Sequence, residues 1–298
     1  MNARNVLVLG HTGRPEVIDT AVGVLDLLTA AGFTPILLPA EAATIPHGSQ
    51  VRVEPAVDAV MADAELVVVL GGDGTILRAA EMARGHAVPL LGVNLGHVGF
   101  LAEFEPEDLA EAVTRIARHE FRVEQRMTLD VVISLRGEVM HRTWALNEAA
   151  VEKGDRGRMI EVVTEVDGRP VASFGGDGVV LATPTGSTAY AFSSGGPVVW
   201  PQVEALLLTP ISAHTLFTRP LVVAPTSVLA VEVLDRSSPA VVWCDGRRIF
   251  EVPPGGRVEV RRGSEPVRLA RLVEGPFTDR LVAKFQLPVT GWRGPAAR

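Results

Sequence analysis

Hydrophobic residues fall into two patterns that divide the chain near residue 122. Up to that point, apolar runs of strand length alternate with stretches whose apolar residues recur at helical spacing. Residues 6–9, Val-Leu-Val-Leu, predict a buried strand. Pro15 then suits the first turn of a helix reaching about Ala31, with Ile18, Ala21, Val22, Leu25 and Leu28 as its apolar face and Gly32 as its stop. Residues 35–38 predict a second strand, the polar stretch 39–53 a loop, and 57–64 a short helix. Residues 66–70 are all apolar, as a buried parallel strand requires, and Ile76, Leu77, Ala80 and Ala83 mark one face of a helix ending at Gly85. Another strand is expected over 88–94 and another helix over 106–118. In that helix Leu109, Ala112, Val113 and Ile116 share a face, Glu107 and Asp108 occupy the first turn, and Arg115 and Arg118 lie near the end, matching the helix dipole. Alternating strands and helices predict an open, mostly parallel α/β sheet.

From Phe121 to about Leu272 the helical period disappears. Runs at 129–135, 160–166, 179–182, 221–223, 228–234, 258–260 and 267–272 have strand length, and Asp167-Gly168 between two runs is a hairpin signal. This half reads as all-β and sandwich-like. A last helix is expected over 277–284 and a frayed tail from Gly291. The expected organisation is an α/β domain over 1–122, a β-rich domain over 123–275, and a segment over 276–298 that packs back on the first domain.

Composition narrows the function classes. The 298 residues carry a net charge of −7, which argues against generic nucleic-acid binding but leaves room for phosphate recognition by local arginines and backbone N–H groups. The single cysteine, Cys244, excludes an intrachain disulfide and a cysteine zinc cage and fits a reducing compartment. No apolar run reaches the ~18 residues of a membrane span, and no signal peptide is read at the start. Neither of the two lysines, Lys153 and Lys284, sits in a Walker P-loop; G-x-G-x-x-G, H-E-x-x-H and G-x-S-x-G are also absent. The seven histidines are scattered and read as surface or core residues rather than ligands.

Four stretches hold candidate chemistry. Gly71-Gly72-Asp73-Gly74-Thr75 joins the 66–70 strand to a helix, so its backbone N–H groups face an anionic ligand at the carboxyl end of a strand. Asp73 would repel a phosphate; it either accepts a proton or holds a metal ion, or it only caps the helix, and the two readings weigh equally. Asn147-Glu148 closes an apolar run and could bond ribose hydroxyls, although an ordinary turn explains it better. Gly175-Gly176-Asp177-Gly178 leads into a stretch to Pro197 rich in hydroxyls and glycine, with the chain's only tyrosine, Tyr190. That composition suits a flat ring with polar edges, and a hairpin weighs equally. Asp245-Gly246-Arg247 reads as a hairpin turn.

Together these stretches resemble the NAD kinase family. The matching pieces are 71–75, Asn94-Leu95-Gly96-His97-Val98-Gly99-Phe100-Leu101, Asn147-Glu148, 176–193, 210–216, Arg219-Pro220 and Asp245-Gly246, in the family's order over about residues 5–285. The resemblance implies phosphoryl transfer from ATP or polyphosphate to the 2′-hydroxyl of the adenosine ribose of NAD, giving NADP, with Mg²⁺ or another divalent cation accompanying ATP. It implies Asp73 as proton acceptor and Gly71, Gly72, Gly74 and Thr75 at the phosphates. At NAD it implies Asp73, Gly74, Arg78, Phe100, Asn147, Glu148, Arg158, Asp177, Thr188, Ala189, Tyr190, Ala191, Phe192, Ser193, Ser212 and Arg247, with no fixed protein metal site. It also implies a homodimer or homotetramer; the leading expectation is a cytoplasmic enzyme, and the net charge and the short apolar runs give the expectation of no nucleic-acid and no membrane partner. The alternatives are a diacylglycerol-type lipid kinase, which shares the glycine motif, and a dinucleotide sensor without chemistry. The polar stretch 185–194 argues against an acyl-chain channel.

Overall fold

The computed structural model describes residues 4–11, 13–95, 99–102, 108–155, 157–272 and 275–289. They divide into two compact units, one within Met1–Gln125 and Val267–Arg298 and the other Arg126–Pro266.

The first unit follows the alternating pattern. Its elements are β1 (Arg4–Gly10), α1 (Pro15–Ala30), β2 (Phe33–Leu37), α2 (Pro39–Ala42), β3 (Arg52–Val53), α3 (Val57–Asp63), β4 (Ala64–Leu70), α4 (Asp73–Met82), β5 (Leu90–Val93), α5 (Leu109–Ala117) and β6 (Arg122–Arg126). The strands form one sheet in the order β3-β2-β1-β4-β5-β19-β6, where β19 is Val267–Arg271, from the far end of the chain. Pairings from β3 through β19 are parallel. Leu66 to Leu70 are buried, as a strand covered on both faces requires. Each such Leu or Val contributes roughly 1.5–3 kcal/mol by leaving water.

The structure corrects four expectations here. On α1 the buried face includes Val17 and Val24, while Ile18 and Val22 are only half-buried. On α4, Ala79 is buried and Leu77 is half-buried. The stretch 39–53 contains α2 and the edge strand β3. Run 267–272 belongs to this sheet rather than to the β-rich half: Leu269 pairs in parallel with Leu90. Its apolar residues give it strand character, but only the partner decides which sheet it joins. Glu107, Gly291 and residues 96–98 lie outside the described residues.

The second unit contains β7 (Leu129–Leu135), β8 (Glu138–Ala145), β9 (Glu148–Lys153), β10 (Ile160–Val166), β11 (Arg169–Gly176), β12 (Gly178–Ala182), a 3-10 turn (Thr185–Thr188), α6 (Tyr190–Ser193), β13 (Leu206–Ile211), β14 (Leu221–Val223), β15 (Leu229–Val233), β16 (Ala240–Cys244), β17 (Arg248–Val252) and β18 (Gly256–Arg262). Two six-stranded sheets form, β11-β10-β15-β18-β7-β8 and β14-β13-β12-β9-β16-β17. One core lies between them, with Val131, Val162, Val231 and Val258 from the first sheet and Val151, Leu181, Leu208 and Val242 from the second. The Asp167-Gly168 hairpin forms, both residues taking positive φ (51° and 72°) between paired Val166 and Arg169.

The second sheet is also covered on its outer face. Ala150, Val180, Ala182 and Leu207 pack there with Ala191, Tyr190 and Val199. The stretch after β12 therefore folds as a 3-10 turn and α6 over this face, not as a hairpin. In the first unit the last described helix is α7 (Phe277–Phe285).

Candidate active site

The carboxyl ends of β1 and β4 lie side by side, where the strand order of the first sheet reverses direction. Such a switch point leaves a crevice, because the connections from neighbouring strands depart to opposite faces. A cleft of about 330 Å³ occupies it, lined by His11, Arg14, Gly71, Gly72, Asp73, Gly74, Thr75, Asn94, Gly99 and Lys284 among others. Gly71 takes φ +150°, and a Cβ there would stand 2.5 Å from Thr75 Oγ1, so the turn admits only glycine at this position.

Asp73 is the first residue of α4, after Gly72 as the cap. Its carboxylate instead accepts from the backbone N–H of Phe100 (3.1 Å to Oδ2) and of Leu101 (3.0 Å to Oδ1). This removes the capping explanation. Gly99 permits the contact, because a Cβ there would lie 3.0 Å from Asp73 Cγ and closer still to Oδ1. Phe100 is buried; its ring lies tilted against those of Phe277 and Phe285, centroids 5.6 Å and 5.9 Å away, and its carbonyl accepts from Arg280 at 3.1 Å. Arg78 pairs at 2.9 Å with Glu41, which is buried on α2.

In the second unit three of the singled-out stretches interlock. The Asp245 carboxylate is buried and accepts from the N–H of Leu146 (2.9 Å) and Asn147 (2.7 Å), with Arg248 at 2.8 Å. Burial pushes its pKa up, and those amides and Arg248 oppose the shift. Asn147 O accepts from Thr183 N at 2.9 Å, and Thr183 Oγ1 donates to Leu146 O at 2.6 Å. A Cβ on Gly186 would run into the Asn147 backbone. Asp245-Gly246 forms a turn with positive φ at both residues, so it is a hairpin whose first side chain also fastens 146–147. Asn147 and Glu148 are buried and do not form an exposed turn.

Glu148 is the most unusual group. Burial, followed by the nearby Asp245, pushes its pKa up to about 8, against the N–H of Tyr190. Its Oε2 is buried with no hydrogen-bond partner among the described residues. Such an orphan is costly unless a ligand satisfies it. The Tyr190 hydroxyl donates to Glu152, and burial with this bond raises its pKa. Asp177 pairs with Lys153 at 2.6 Å, and the Lys153 and Ser212 bonds lower its pKa. Ser212 has φ 48°, Phe192 is exposed at 40%, and Arg158 and Arg247 are exposed. Thr188 and Ala189 lead into α6, where Ala191 is buried and the Ser193 hydroxyl donates to Tyr190 O.

Within the first unit the structure thus brings together Gly71, Gly72, Asp73, Gly74 and Thr75, with Phe100 held against Asp73. Within the second it brings together Asn147, Glu148 and Tyr190, with Asp177 and Ser212 as a neighbouring pair. His11, Arg14, Gly99, Lys284 and Asp245 are additional: the cations are isolated in the sequence, and the Asp245 turn resembles any other hairpin. Among the described residues no three His, Cys, Asp or Glu side chains form a metal cage.

Comparison with known proteins agrees with this architecture. Residues 6–121 match the model of the ATP-NAD kinase N-terminal domain, and residues 146–272 that of the ATP-NAD kinase C-terminal domain. An NAD kinase 2 of Streptomyces coelicolor is 60% identical over 98% of this chain and 97% of its own length. An NAD kinase of Thermobifida fusca is 57% identical over 99% of this chain and 93% of its own. Among solved structures, a yeast NADH kinase complexed with NADH shares the fold at TM-score 0.85 and 23% identity, covering 96% of this chain and 89% of that one. An NAD kinase from Archaeoglobus fulgidus in complex with ATP reaches TM-score 0.72 at 27% identity over 95% and 100% of the two chains. Two family domains in order and relatives at this identity over nearly the whole length set the lipid-kinase alternative aside, and the chain belongs to the NAD kinase family.

Proposed function

We propose that this NAD kinase transfers the terminal phosphoryl group of ATP to the 2′-hydroxyl of the adenosine ribose of NAD, with Asp73 as the proton acceptor. The observation that carries the reading is the Asp73 carboxylate, fixed by two backbone amides beside a glycine-lined cleft and unused as a helix cap. A proton acceptor must be held in place before the nucleophile arrives, and amide bonds to both oxygens do that. Gly71, Gly72, Gly74 and Thr75 hold the donor phosphates at the start of α4, where backbone N–H groups favour anions. Polyphosphate is a second donor on this reading, because the groups assigned here address a phosphate chain rather than a base.

A divalent cation enters with the donor. Asp73 and Asn94 are oxygen-bearing side chains in the cleft, a set that fits an ion carried mostly by phosphate and water rather than a protein cage. The ion would supply neutralisation of phosphate charge. In the second unit, Glu148 meets ribose hydroxyls with its orphan oxygen and Tyr190 packs on a ring of NAD, with Asp177, Asn147 and residues 188–193 around it. Phe100 serves through its amide. Arg78, Arg158, Ser212 and Arg247 complete the set on the family resemblance.

We place the enzyme in the cytoplasm as a homodimer or homotetramer. Trp200, Val203, Leu216 and Phe217 are exposed apolar side chains of the kind that association covers. No helix among the described residues is long and apolar enough to cross a membrane. The deciding experiment measures NADP formation from NAD and Mg²⁺ with ATP or polyphosphate. Product with ATP supports the reading, product with both extends the donor range, and product with neither overturns it.

A further inference from the structure

We infer that α7 is a working part of the donor site and that Lys284 contacts the donor's phosphate chain. The inference rests on the kinase reading above and adds a residue that reading does not contain. Three cationic or protonatable side chains line the cleft around the glycine turn: His11 after β1, Arg14 before α1, and Lys284 on α7. None of the three has an ion-pair partner among the described residues, whereas Arg4, Arg52, Arg78, Arg118 and Arg271 of the same unit are each paired with a carboxylate. Among the described residues Asp73 is the only carboxylate in the lining, so these walls offer an excess of positive charge to whatever occupies the cleft.

Lys284 reaches the cleft because α7 is fastened beside it. Phe277, Arg280 and Lys284 follow each other at i, i+3 and i+7, which places them on one helix face. The first two are spent on Phe100, the ring of Phe277 at 5.6 Å and the Arg280 guanidinium at 3.1 Å from the carbonyl. Phe285 adds a second ring contact at 5.9 Å. The same Phe100 holds Asp73 by its amide. One helix face therefore braces the turn that fixes the carboxylate and ends in an exposed, unpaired lysine. A flexible ammonium suits a phosphate chain whose length and position change as the terminal group departs.

The test is steady-state kinetics of Lys284→Met and Lys284→Arg, together with calorimetric titration of tripolyphosphate into each protein. Lys284 is exposed, so melting temperatures should match the parent. We expect Lys284→Met to raise KM for ATP and Kd for tripolyphosphate about tenfold, the size of one charge-assisted contact. KM for NAD should stay within about twofold, and Lys284→Arg should recover most of the loss, because the charge is kept. An unchanged donor KM in Lys284→Met overturns the role of Lys284 and leaves the kinase reading standing. If the parent makes no NADP, the kinase reading falls, and the tripolyphosphate titration alone decides: weaker binding by Lys284→Met supports the contact and equal binding overturns it.

Discussion

The amide of Phe100 donates to the carboxylate of Asp73, and the two residues come from different strand-to-helix connections of one sheet. Substituting Asp73→Asn keeps the side-chain shape, but the new NH₂ group faces a backbone donor. We expect one of the two amide bonds to be lost, at about 1 kcal/mol of stability. Turnover should fall by ~10²-fold or more once the base is gone. Initial rates of NADP formation check this; a variant that turns over normally removes Asp73 from the chemistry.

Gly99 supplies a second, independent probe of the same contact. An added methyl would collide with the Asp73 carboxylate, so Gly99→Ala must displace either the carboxylate or the turn. We expect kcat to drop about tenfold or more, because misplacing a reacting group by an ångström is enough. An alanine variant with parental kcat would mean that the carboxylate does not need its two amides.

Glu148 predicts a pH dependence. Its pKa is pushed up to about 8 in the folded protein from the ordinary 4.5 of a glutamate, so the native state binds the extra proton between these values. Stability is then unaffected by this group below pH 4.5, falls as pH rises through the window, and levels off above 8. The steepest loss attributable to one proton is about 1.4 kcal/mol per pH unit. Urea unfolding of the parent and of Glu148→Gln at pH 5, 6.5 and 8 measures it. The two proteins should diverge as pH rises, and parallel curves would show that the group ionises freely.

Tyr190 separates ring from hydroxyl. Tyr190→Phe removes the bond to Glu152 but keeps the face, whereas Tyr190→Ala removes both. We expect NAD affinity within about threefold for Phe and weaker by about tenfold or more for Ala, the size of a base-stacking contact. Calorimetry with NAD decides; equal losses in both variants would assign the effect to the hydroxyl.

Much of the fold was readable because burial writes itself into the sequence period. Strands β7 and β10 match their predicted runs to the residue, since alternate side chains enter the core between the two sheets. The central runs of β4 and β12 were readable because both faces are covered. What escaped depends on partners distant in sequence. Nothing in run 267–272 says that its neighbour is Leu90. Nothing in the polar stretch 39–53 marks Glu41 as the buried partner of Arg78. At the site, the glycine motif announced the phosphates. The meaning of Gly99 and Asp245 instead resides in backbone amides and carboxylates that only the fold brings together.

The return of β19 and α7 to the first sheet bears on how the chain matures. The second unit is an insertion between β6 and β19, and its two ends lie together: Leu129 is in register with Arg262, and Thr128 Oγ1 donates to Glu265 O at 2.6 Å. During synthesis the inserted unit has all its strands before the first unit's sheet receives its seventh, β19. Until β19 arrives, β5 presents an open edge, and until α7 arrives, Phe100 lacks its aromatic neighbours. The carboxylate assigned to the chemistry thus acquires its full support only as α7 is made, so a nascent or C-terminally clipped chain would retain a folded second unit without a competent first one.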